Sequence, residues 1–108
     1  MFGKIFDTTE VDKYADWVVA EIKRTLPPEG TQGNAKKAAV RTEKLNQRIA
    51  RETENLAQSV RLNVYKKARI ASRIRELMSD SGYPESFTKA LSMDLVNRLE
   101  VASKAAKR

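Results

Sequence analysis

Cysteine and histidine are both absent from the 108-residue chain. That excludes a disulfide framework, a thiol nucleophile, a zinc site of the usual Cys/His kind and imidazole acid–base chemistry. Glycine (4) and proline (3) are scarce, and aromatic residues make up only 6%. Large apolar side chains are also few. Leu, Ile, Val and Phe together number 24, or 22% of the chain, just above the level at which disorder becomes the default expectation. A core is expected, but a thin one. No stretch approaches the ~18 uninterrupted apolar residues of a membrane span. Residues 1–6 carry a lysine and run straight into Asp7, unlike a secretory leader. A cytoplasmic protein without integral membrane association is therefore expected. There is no glycine-rich phosphate loop, no nucleophile elbow and no metal-ligand cluster. Asp12 and Asp16, four apart on a helix, have the spacing of paired carboxylates, but two carboxylates alone make a weak cation site. No catalytic residue, cofactor or metal is expected, and the chain reads as a non-enzyme.

What punctuation exists is concentrated. All three prolines and all but one glycine lie in residues 27–34 and 81–84, where they end helices. Three periodic segments remain, within one domain spanning 1–108. In the first, about 8–26, Val11, Ala15, Val18, Val19, Ile22 and Leu26 line one helical face behind a capping box, Asp7-x-x-Glu10. In the second, 35–80, there is neither proline nor glycine, and good helix formers dominate. A continuous helix there would be a rod of roughly 70 Å, with weaker formers around Ser59 to Tyr65 marking the one place where it would break. The third, about 84–106, opens on Pro84 and carries Leu91, Leu95, Leu99, Ala102 and Ala106 along one side. The expected fold is all-α: three helices, the two shorter ones folded back on a long central one. Such a layer is only two helices thick and leaves an apolar stripe in need of a third partner. A homodimer, closing a four-helix arrangement between two copies, is the expected solution. Phe2, Ile5 and Phe6 read as a disordered start or as a plug over the bundle end.

Charge is unevenly spread. The chain carries a formal +7, but residues 1–33 sum to −2, residues 34–81 to +7 and residues 82–108 to +2. Lys37, Arg41, Lys44, Arg48 and Arg51 recur at three- and four-residue spacing, and Lys66, Arg69 and Arg73 continue the same face if the helix is unbroken. These eight cations would occupy an arc of about 80°, centred roughly 120° from the apolar stripe. Asp80 is the one acid inside that arc. Such a track suits a phosphate backbone, with Asn55 and Gln58 among the cations, and nucleic acid read without strong sequence specificity is the leading expectation. The same stripe also fits a solvated helix face, or one that pairs with the acidic first segment of a dimer partner. Like charges at i, i+4 repel by a few tenths of a kcal/mol, which weighs against stability as their only role.

Other partner surfaces are weaker. The region from Met78 to Leu95 has the outline of a helix-turn-helix, but its last helix brings a single cation near its start, too few for a groove-reading helix. Seven aromatics scattered over the chain make no stacking platform for single strands. Tyr14 and Trp17, at the edge of the first apolar face, are candidates for docking a protein partner, or for flanking the core. A protein–protein adaptor or dimerisation module with a merely solvated basic face is the alternative reading. Attachment to anionic lipid fits less well, because the basic arc lacks bulky apolar borders.

Overall fold

A computed structural model describes residues 7–27 and 35–106, with backbone only for 35–39; Phe2, Ile5 and Phe6 lie outside the described residues. All regular structure among them is helical: α1 (Thr9–Thr25), α2 (Ala35–Ser59), α3 (Val64–Asp80) and α4 (Glu85–Ala106). The ends of α1 and α4 fall within a residue or two of the expected limits. The long central helix does not form. Segment 35–80 is two helices separated by residues 60–63, so the described residues form four helices, not three.

The break needs neither proline nor glycine, because local partners satisfy the ends it creates. At the end of α2 the Ser59 hydroxyl donates to the Asn55 carbonyl at 2.9 Å. At the start of α3, Asn63 takes the N-cap position in extended backbone, and its side chain accepts the Lys66 backbone N–H at 2.8 Å. Side-chain capping of this kind stabilises a helix start by about 1 kcal/mol. Between the two, Leu62 turns inward and is only 6% exposed. On an unbroken helix it would have stood in solvent among the cations.

Cross-links between helices fix their directions. Tyr14 meets Thr53 and Glu21 meets Arg48, so α1 and α2 are antiparallel. Asp12 meets Arg69 and Asp16 meets Arg73, so α1 and α3 run parallel. The short turn 81–84 and the Lys67–Glu100 pair set α4 antiparallel to α3. The helices pack as a ring in the order α1, α2, α4, α3. Consecutive helices α2 and α3 therefore stand on a diagonal. With neighbouring axes 8–10 Å apart, that diagonal is about 13 Å, within the ~17 Å that five Cα steps can span. Residues 60–63 make the crossing over one end of the bundle, and Leu62 seals it.

One core runs through the ring: Val11, Ala15, Val18 and Ile22 of α1, Leu45 and Ile49 of α2, Ile70, Ile74 and Met78 of α3, and Leu95 and Leu99 of α4 are all buried. The chain thus closes a four-helix core by itself, and the unfilled stripe that called for a second copy is covered from within. At the other end, Gly82 adopts φ +92°, the left-handed conformation that ends α3. The Tyr83 hydroxyl donates to the Leu26 carbonyl at 2.7 Å, tying this turn to the end of α1.

Candidate anion-binding surface

Breaking the central helix divides the basic stripe. Its two halves now stand on either side of α1, the acidic helix, and each turns cations toward it. On the α3 side the pairing is bidentate. Arg69 donates through Nε and Nη2 to the two oxygens of Asp12 at 2.9 and 3.3 Å. One turn on, Arg73 does the same to Asp16 at 2.7 and 3.1 Å. Parallel helices make this repeat possible, since i, i+4 on one matches i, i+4 on the other. Asp12 and Asp16, spaced as a carboxylate pair, thus each hold an arginine, and no group of acids able to bind a metal occurs among the described residues.

On the α2 side, Glu21 accepts from Arg48 Nε at 2.9 Å and from Arg24 at 2.8 Å, and Arg48 also reaches the Thr25 hydroxyl at 3.4 Å. The arginine hydrogen bonds hold the Asp12 carboxyl below its ordinary range, Arg69 contributing most. They do the same to Glu21, with Arg24 first and Arg48 beside it. Arg69 and Arg73 are in turn pushed up by their carboxylates. Exposed pairs of this kind contribute about 0–1 kcal/mol each, so they orient the helices more than they stabilise them.

Three cations of the stripe are spent inside the fold in this way. The remaining stripe cation on α3, Lys66, is buried at 7% exposure in the helix's first turn. Arg41, Lys44 and Arg51 are different. All three are exposed on the solvent side of α2, and no acid lies within ion-pair distance of them among the described residues. Lys37 begins the same row; its backbone is in α2, and its side chain lies outside the described residues. The row is bordered by Glu43, Glu52 and Glu54, also exposed. What remains of the eight-residue track is a short strip on α2 alone.

The two aromatic candidates separate. Tyr14 is a core residue, 6% exposed. Its hydroxyl lies 2.6 Å from that of Thr53, which donates onward to the Ile49 carbonyl at 2.7 Å. Burial pushes the Tyr14 phenol up. Trp17 is half-buried, packed on the edge of the core. The relay from Tyr14 to Ile49 was not legible beforehand, because it joins residues 39 apart and nothing local marks Thr53 as buried.

Fold and surface together define a class: a small four-helix bundle of two parallel pairs, α1 beside α3 and α2 beside α4, with an acidic first helix clamped between arginines and a basic strip on the second. Comparison with known proteins gives no match to a family model, a curated protein or a solved structure. Function must therefore be argued from the surface itself.

Proposed function

We propose that the protein is a small non-enzymatic binding module whose basic strip on α2 engages an anionic partner, nucleic acid read without strong sequence specificity. The observation that carries this reading is the contrast within one stripe. Glu21, Asp12 and Asp16 neutralise Arg48, Arg69 and Arg73, whereas Arg41, Lys44 and Arg51 stay exposed with no acid of their own among the described residues. Guanidinium and ammonium groups spaced along one helix match successive phosphates. Pairing of two copies belongs to the same reading, since it doubles the number of strips offered to one polyanion.

The test is a titration against a labelled mixed-sequence duplex over a range of salt. Three phosphate contacts give a log–log slope of about −2.7, and four, with Lys37, about −3.6. The eight-cation track would have given about −7 on the same basis. Reversal of Arg41, Lys44 and Arg51 to Glu should abolish binding while leaving the helical circular dichroism signal intact. Binding that survives this triple change, or a total lack of binding at low salt, refutes the reading and transfers the function to protein contacts, where Trp17→Ala becomes the informative variant.

A further inference from the structure

The outer face of α4 differs from those of the other helices. Ser86, Ala90, Met93, Asn97, Val101 and Lys104 recur at three- and four-residue spacing on the side away from the buried Leu95 and Leu99. Met93 is 59% exposed and Val101 70%. No charge interrupts this face from Ser86 to Val101. By contrast, the outward positions of α1 include Lys13, Asp16 and Arg24, those of α2 Lys44, Arg51 and Glu54, and those of α3 Arg69 and Glu76. A helix apolar on two sides is one built to be covered on both. Beside Val101 the face continues into an open groove of about 1010 Å³ between α2 and α4, floored by alanines such as Ala50 and Ala102.

We propose that this face is a self-association surface, on which a second copy of the chain lays its own α4 antiparallel; the inference rests on the pairing included in the functional reading above. The face is symmetric about Asn97. Met93 and Val101 stand four residues to either side of it. With Asn97 on a two-fold axis, Met93 meets Val101 of the second copy twice, and the two Asn97 amides, each both donor and acceptor, face one another. Charge complementarity follows from the same axis. In an antiparallel pair equal flanks adjoin, so Asp94 stands about 3 Å along the axis from Arg98 of the second copy. Within one copy these two already form an i, i+4 pair at 2.9 Å, and dimerisation makes them a four-charge cluster of zero net charge. Lys89 and Lys104 approach each other at the seam's ends, where water screens them. One helix pair covers less than the roughly 1,600 Å² of an ordinary stable interface, so the dimer is a reversible, concentration-dependent one.

Sedimentation equilibrium of the full chain over a range of concentrations tests this. A monomer–dimer equilibrium is expected, with Met93→Glu and Val101→Glu each raising the dissociation constant by about tenfold or more. Both side chains are exposed, so helicity should be unchanged, as should melting at concentrations where the chain is monomeric. Because the chain has no cysteine, Asn97→Cys provides a unique thiol at the two-fold. It should oxidise to a covalent dimer, whereas Ser72→Cys on the outer face of α3 should not. A monomer at every concentration, a dimer indifferent to both glutamates, or equal cross-linking at positions 72 and 97 each overturns the proposal. Charge reversal of Arg41, Lys44 and Arg51 leaves this face untouched, so loss of nucleic-acid binding and loss of the dimer are separate results.

Discussion

Thr53 shows how much one residue can decide. It sits on α2 among leucine and isoleucine positions, 2% exposed, and its hydroxyl both meets Tyr14 and donates to Ile49. A buried phenol needs a partner, because an unsatisfied polar group inside a core costs about 1–3 kcal/mol. Thr53→Val keeps the shape and removes the hydroxyl, so it should lower the unfolding free energy by about 1–3 kcal/mol in a urea titration. Tyr14→Phe alone should cost less, because Thr53 retains Ile49. The double variant should then cost less than the sum of the two, the signature of a shared contact. Nothing in the sequence around Thr53 marks it as buried, and its partner lies on another helix, so only the packing supplies the pair.

At the scale of elements, the decisive event is the break at residues 60–63. Weak helix formers between Ser59 and Tyr65 point to it in the sequence. A stronger signal lies in the phase of the pattern: a continuous helix places Leu62 among the cations and Val64 in the apolar stripe. The structure does the opposite, burying Leu62 at 6% and exposing Val64 at 81%. Propensity alone is a weak guide here, because the gain from a cap and a buried leucine exceeds the small preference for continuing the helix. Leu62→Ala should lower stability by about 2–5 kcal/mol, and Asn63→Ala by about 1 kcal/mol through loss of the cap. Both are measurable as shifts in the denaturation midpoint. If α2 and α3 were one rod in solution, Leu62→Ala would instead be nearly neutral.

For the molecule as a whole, the break converts an open layer into a closed bundle, and the charge pattern changes meaning with it. The acidic balance of α1 and the basic balance of segment 34–81 are both plain in the sequence. Their pairing inside one chain follows from α1 standing between α2 and α3. This has a pH consequence. Asp12 and Glu21 are held below their ordinary range in the folded state, so the folded chain binds fewer protons than the unfolded one near pH 4. Their contribution is complete above the unfolded carboxylate values of about 4 and is lost as the pH falls through and below them. Urea midpoints should therefore drop between about pH 5 and pH 3. Asp12→Asn should make that drop shallower while lowering the midpoint at pH 7 by no more than about 1 kcal/mol equivalent.

Sequence alone determined that this chain is helical, where its outer helices begin and end, that its core is thin, and that its positive charge gathers in segment 34–81. These follow from local periodicity and from the spacing of proline and glycine, which act within a few residues. Tertiary structure alone decided that segment 35–80 is two helices rather than one, that Arg48, Arg69 and Arg73 serve the fold while Arg41, Lys44 and Arg51 face solvent, and that Tyr14 is core. The reason is geometric: a helix break rotates everything after it, so which face meets which partner is settled only once distant segments pack.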